Sequence, residues 1–265
     1  MESVHQHLPL LYNTCSMPNV LAVIPARYAS TRFPGKPLID IAGKTMIERV
    51  YRQVKKSTAV QEVVVATDDT RIADVVKHFG GLVEMTSAEH PSGTDRCAEV
   101  AQRFKGQFDL VVNVQGDEPF INPEQISLLC DAFTQPLVSI ATLCKRITDE
   151  ETLHNPNVVK VVRNTRDEAL YFSRQAIPYL RNGSNTWHTR QAYFKHLGIY
   201  AFRANTLLEL TQLMPSALEQ SESLEQLRWL ENGYTIAVKE TEHETLAIDS
   251  PQDLVFVEKY LKSLG

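Results

Sequence analysis

The chain has 265 residues, 43% hydrophobic and 22% charged, with 27 Lys and Arg against 32 Asp and Glu for a net charge of −5. A chain of this length fits one large domain and buries roughly 70–75% of its unfolded surface, so it needs neither disulfides nor a structural metal to fold. The acidic balance excludes the global positive field of a nucleic-acid binder but leaves room for local cations around a small anion, and the composition excludes disorder, collagen and coiled coil.

Regular patterning begins at Val20. Residues 1–17 are therefore expected to form a flexible extension, with Met17 as an alternative start, and residues 18–265 a single domain. The first five residues lack the basic start of a secretory signal. Val20-Leu21-Ala22-Val23-Ile24 is a fully apolar, β-branched run that predicts a strand buried on both faces of a parallel sheet. A Gly- and Pro-rich polar loop follows over 26–37. An amphipathic helix is expected over about 44–56, with Met46, Ile47, Val50, Tyr51 and Val54 on one stripe. A second strand is predicted at 63–66, then Asp69 as N-cap of a helix running to about Phe79. A third strand at 82–85, a helix near 95–104 and a fourth strand at 110–114 complete a βαβ series, which argues for a doubly wound parallel sheet. Beyond about residue 135 the rhythm changes to strands at 138–143, 158–163, 170–172 and 198–202 with few helices, as in an inserted lobe. Helices near 221–231 and 252–263 close the chain. The four cysteines (Cys15, Cys97, Cys130, Cys144) form no C-x-x-C pair and suit reduced thiols of a cytoplasmic protein. No apolar run reaches the roughly 18 residues of a membrane span.

Ligands of open α/β sheets sit at the carboxyl ends of strands. Three polar clusters occupy such positions: 25–37, 67–69 and 115–119. The first brings Arg27, Arg32 and Lys36 together with small hydroxyl and glycine residues, the composition of a polyphosphate cradle; the competing interpretation is a solvated loop. Gly43-Lys44-Thr45 imitates the tail of a phosphate-binding P-loop, but Leu38 stands where that motif needs its first glycine, so these residues are expected to start the first helix. No G-x-G-x-x-G follows a strand, and no histidine pair has metal-ligand spacing. Asp117, in Gln115-Gly116-Asp117-Glu118-Pro119, stands where a hard divalent cation would meet a phosphate. Asp249 follows a short apolar run before a helix, as a metal ligand or an N-cap would.

Several stretches carry a resemblance: residues 24–38 and 112–119, then Ala169-Leu170-Tyr171-Phe172-Ser173-Arg174, His196-Leu197-Gly198-Ile199-Tyr200, Leu224-Glu225-Gln226-Leu227-Arg228 and Asp249-Ser250-Pro251-Gln252-Asp253. Over roughly residues 20–262 the chain resembles the 3-deoxy-manno-octulosonate (KDO) cytidylyltransferase family. The first two stretches occur more loosely in other sugar nucleotidyltransferases, and the later ones separate this family from the sialic acid enzymes. The resemblance implies a Rossmann-like nucleotidyltransferase α/β fold with a mostly parallel sheet. It also implies a smaller lobe, at about 135–220, that binds sugar and forms a homodimer. The implied reaction is Mg²⁺-dependent transfer of CMP from CTP to KDO for lipopolysaccharide synthesis in the cytoplasm. By residue, it implies triphosphate or CTP contacts from Ala26, Arg27, Arg32, Lys36, Ser92, Gly93 and Arg96, with Arg27, Lys36 and Asp117 catalytic. Mg²⁺ would be held by Asp117 and Asp249. KDO would be held by Gln115, Arg174, His196, Tyr200, Glu222, Glu225 and Gln226, the last three expected on one helix face by their i, i+3, i+4 spacing. Phe33 and Phe120 depart from the family's usual Leu or Met. A sialic acid cytidylyltransferase, a P-loop phosphotransferase and a non-catalytic nucleotide-sugar sensor stand as alternatives.

Overall fold

The computed structural model describes residues 18–29, 33–181, 186–244, 248 and 253–254; the extension at 1–17, Arg32, Asp249 and most of the expected last helix lie outside them. The apolar runs form strands where their β-branched content predicts. β1 (Val20–Ala26) leads through a 3₁₀ turn at Lys36–Leu38 to a small hairpin of β2 (Asp40–Ile41) and β3 (Lys44–Thr45). Helix α1 (Met46–Val54), β4 (Glu62–Thr67), α2 (Thr70–His78), β5 (Leu82–Met85), α3 (Gly93–Arg103) and β6 (Leu110–Asn113) continue the βαβ series. Asp69 caps α2 as expected, its carboxylate accepting from the Arg71 N–H at 2.9 Å.

One sequence expectation fails here, and one helix was not anticipated. Gly43-Lys44-Thr45 does not open a helix: Ala42 and Gly43 take positive φ, 49° and 80°, and turn the β2–β3 hairpin. Thr45 alone caps α1, accepting from the Glu48 N–H. The apolar, Pro-started α4 (Pro123–Asp131) escaped prediction although Asn122 and Gln125 form a reciprocal capping box there.

The second half comprises β7 (Ile140–Arg146), α5 (Glu150–His154), β8 (Lys160–Arg163), β9 (Ala169–Ser173), α6 (Trp187–Arg190), β10 (Phe194–Arg203) and α7 (Ala204–Leu210). Then come α8 (Ala217–Glu222), α9 (Gln226–Glu231) and β11 (Ala237–Glu240), the last also unanticipated. The expected single helix at 221–231 is two, because Ser223 adopts the left-handed conformation at φ 52° and ends α8. Main-sheet order is β11-β7-β10-β6-β1-β4-β5, with β8 and β9 attached beside β10. Neighbours are parallel except β10, antiparallel to both β6 and β7.

Alternate residues of the central strands feed two cores, one per face. Val20, Ala22, Ile24, Val63 and Val65 meet Ile47 and Val50 of α1, Val76 of α2 and Leu129 of α4. On the opposite face Leu21, Val23, Val64 and Val111 meet Cys97 and Val100 of α3, Leu207 of α7 and Trp229 of α9. A chain that continues from β1 to β4 on one side and returns to β6 on the other has its switch point between β1 and β6, where the carboxyl ends leave a crevice.

Candidate active site

The crevice is an open cleft of about 450 Å³ whose walls include Ala26, Arg27, Lys36, Ser92, Gly93, Gln115 and Asp117. These residues come from the three loops that follow β1, β5 and β6. Gly116 lets the loop after β6 pass close to the end of β1: a Cβ there would lie 2.8 Å from the Pro25 carbonyl oxygen, a backbone atom. Lys36 Nζ donates to Asp117 Oδ2 at 2.7 Å, an ion pair that spans 81 positions of sequence and keeps both side chains partly accessible. The Asp117 carbonyl accepts from the Ile248 N–H at 3.0 Å, tying in the chain that precedes Asp249. Ile248 packs with Ile41, Met46, Phe33 and Phe120 in a small separate core, so both phenylalanines serve packing.

Ser92 caps α3, accepting from the Asp95 N–H, so the positive end of an 11-residue helix faces the cleft beside Gly93. Arg27 crosses to the same loop, where Nη2 donates to the carbonyl oxygens of His90 and Ser92. The Tyr28 ring is pinned by Arg71, whose guanidinium carbon sits 3.3 Å from the ring centroid while its nitrogens clasp Asp69. Arg96 behaves differently from the other expected cations. It is fully buried, donates to Thr86 Oγ1 and lies 3.4 Å from Asp68, so it braces the loops after β4 and β5 from beneath. Desolvation lowers its pKa, partly offset by the Asp68 charge.

The expected sugar residues form a second group, joined to the cleft by Gln115, whose Nε2 donates to the Gly198 carbonyl at 2.9 Å. Gly198 lies in a register shift of β10 between Leu197 and Tyr200. The His196 ring packs edge-on to Phe172 and beside Tyr200, and this burial pushes its pKa down to about 3. Its Nε2 lies 3.0 Å from Thr142 Oγ1, which itself donates to the Ile199 carbonyl, so the histidine must be the donor of that pair. Tyr200 stacks edge-on against Trp229 at 5.0 Å. Burial, then the nearby Glu225, drive its hydroxyl well above the ordinary value.

Glu222, Glu225 and Gln226 do not share a helix face, because the Ser223 break turns them apart. Glu222 accepts from Ser173 Oγ and the Arg174 N–H at the end of β9, whereas Glu225 accepts from Thr94 Oγ1 at 2.6 Å under the start of α3. Burial raises the Glu225 pKa against the pull of Thr94. Gln226 is buried. Arg174 is tied to the backbone, its guanidinium donating to the Glu222, Ser223 and Pro156 carbonyls.

Asn113 and Thr94 were not singled out in the sequence, yet both belong here. Asn113 is the direct cross-strand neighbour of Tyr200, and Asn113 Oδ1 is buried with no hydrogen-bond partner among the described residues. The only sequence signal for Asn113 is a polar residue closing an otherwise apolar strand. Among the described residues no three His, Cys, Asp or Glu side chains gather as a metal cage, and no helix is long and apolar enough to cross a membrane.

The family of cytidylyltransferases matches residues 21–240. A 3-deoxy-manno-octulosonate cytidylyltransferase of Cytophaga hutchinsonii is 58% identical over 90% of this chain and 96% of its own, and one of Parabacteroides distasonis is 56% identical with the same coverage. The chain belongs to the 3-deoxy-manno-octulosonate cytidylyltransferase family. Its fold agrees: the solved CMP:2-keto-3-deoxy-manno-octonic acid synthetase complexed with CTP superposes with a TM-score of 0.87 at 44% identity, over 93% of this chain and all of that one. The 4-diphosphocytidyl-2C-methyl-D-erythritol synthase of Anaerococcus prevotii, 14% identical with a TM-score of 0.63 over 93% of this chain and all of that one, shares the fold.

Proposed function

We propose that the protein transfers CMP from CTP to KDO with release of pyrophosphate, supplying an activated sugar acid for lipopolysaccharide synthesis. The observation that carries this is the convergence of Arg27, Lys36, Asp117 and the amino end of α3 on one cleft at the sheet's switch point, in a chain of this family. The anomeric hydroxyl of KDO attacks the α-phosphorus, a new O–P bond forms, the bond to the β-phosphate oxygen breaks in line, and the hydroxyl proton is released. Such a transfer depends on positioning and on neutralising charge that grows on phosphate oxygens. Lys36 does this from one wall, and Arg27 together with the α3 N–H groups from the other. Arg27 keeps Nε and Nη1 for phosphate, since only Nη2 is engaged by described residues.

His196, held neutral far below its ordinary pKa, orients the sugar group rather than taking its proton. The unpartnered, buried Asn113 Oδ1 supports a polyhydroxylated ligand, because a buried polar atom left without a partner costs about 1–3 kcal/mol that a sugar hydroxyl would recover.

The donor set also fits Mg²⁺. Asp117 already holds one cationic group, the Lys36 ammonium, and a magnesium ion needs only one or two carboxylates when phosphates and water complete its octahedron. Asp117 would hold the ion, with Asp249 proposed as its second carboxylate. When bound, the ion supplies Lewis-acid charge and a template for the phosphates. A homodimer through the lobe and a cytoplasmic location belong to the same proposal; the exposed Leu170 and Tyr179 on that lobe and the buried free thiols of Cys97, Cys130 and Cys144 support them. The deciding experiment is a pyrophosphate-release assay with CTP against a panel of sugar acids. Turnover with KDO and not with sialic acid is expected, and the reverse preference would overturn the assignment.

A further inference from the structure

We infer that Glu99 and His90 form a latch that positions Arg27 for the triphosphate, an inference that rests on the cleft being the triphosphate site. Arg27 comes from the loop after β1, but its guanidinium is anchored on the far side of the cleft, by the main-chain oxygens of His90 and Ser92. Where those carbonyls stand therefore decides where the arginine's remaining N–H groups point. Ser92 is fixed as the cap of α3. His90 lies in the loop between β5 and α3 and needs a separate tether.

Glu99, two turns along α3, supplies that tether. Its Oε2 accepts from the His90 Nε2–H and from the Ser87 N–H at 2.9 Å, so one carboxylate grips both ends of the 87–90 turn. The His90 ring must donate, because its partner is an ionised acid. Burial pushes the Glu99 carboxyl up, but the Ser87 and His90 hydrogen bonds and the Arg103 charge outweigh it and hold the group below its ordinary range. Arg103 bonds the other Glu99 oxygen and reaches Glu84 of β5 at 2.6 Å, which locks the carboxylate to the sheet as well as the helix. None of these side chains is required to touch nucleotide; their effect passes through the His90 carbonyl to Arg27. Loss of the latch would leave Arg27 with its charge and without its aim.

A double-mutant cycle read by CTP binding tests this, with initial rates at varied CTP and varied KDO alongside. Glu99→Ala is expected to weaken CTP binding about tenfold, the loss of one charge-assisted hydrogen-bond set, with the KM for KDO unchanged. His90→Ala should match it, and His90→Gln, which retains a side-chain N–H, should recover to within about twofold of wild type. In an Arg27→Ala background, Glu99→Ala should add nothing. If the two losses instead multiply, or if Glu99→Ala leaves CTP binding intact, the latch is wrong while the triphosphate site stands. If Arg27→Ala itself leaves CTP binding intact, the site assignment falls and the latch with it.

Discussion

Acidification should destabilise this protein through His196 in a calculable way. The imidazole is neutral in the fold, with a pKa near 3 set by burial against Phe172 and Tyr200, and titrates at 6.5 in the unfolded chain. Below pH 6.5 the unfolded state therefore binds a proton that the native state refuses, so stability falls with falling pH, and the loss continues until the folded pKa is reached. At pH 5 the unfolded ring lies one and a half pH units below its midpoint, which at about 1.4 kcal/mol per unit removes about 2 kcal/mol relative to pH 8. Urea unfolding at pH 8 and pH 5, for wild type and His196→Gln, isolates this contribution. The glutamine keeps an N–H for Thr142 but cannot titrate, and all other groups are common to both proteins. The variant should lose about 2 kcal/mol less than wild type between the two pH values. Equal losses would show that the ring accepts a proton in the fold, and with it the argument that His196 only orients sugar would fail. The same neutrality predicts that His196→Gln leaves the shape of the kcat/KM profile between pH 6 and 9 unchanged.

Asp117→Ala should cut turnover by about 10²- to 10³-fold, the scale of losing a preorganised electrostatic group, yet change unfolding free energy by less than about 1 kcal/mol because its ion pair with Lys36 is partly solvated. Gly116→Ala should cost about 1–3 kcal/mol in a urea titration and weaken CTP binding as well, since its Cβ can be accommodated only by moving the Pro25 carbonyl or the Asp117 turn. Arg174→Ala should raise the KM for KDO and spare that for CTP, because it frees the Glu222 and Ser223 carbonyls on the sugar side alone; equal changes in both constants would count against it.

Much of the fold was legible because it is written locally. The run at Leu82–Met85, the Asp69 cap and the α3 helix are properties of contiguous residues, and short apolar strands alternating with amphipathic helices permit few arrangements other than a doubly wound sheet. The polar clusters at 25–37 and 115–119 pointed to the cleft for the same reason, whereas the one at 67–69 is engaged with Arg71 and Arg96 and the cleft takes its third wall from the loop after β5. Other features depended on residues far apart. The resemblance assigns both Arg96 and Arg27 to the nucleotide, but only packing decides that Arg96 is buried beneath the loops while Arg27 reaches into the cleft. The helical spacing of Glu222, Glu225 and Gln226 suggested a shared face, and the left-handed turn at Ser223 sends the first to Ser173 and the second to Thr94, 131 positions away. Residue pattern thus determined the elements and the chemistry available at their ends, whereas the partner of each charged side chain was decided by tertiary structure. Backbone periodicity is set by near neighbours along the chain, but a carboxylate's environment is set by whatever the closed sheet brings against it.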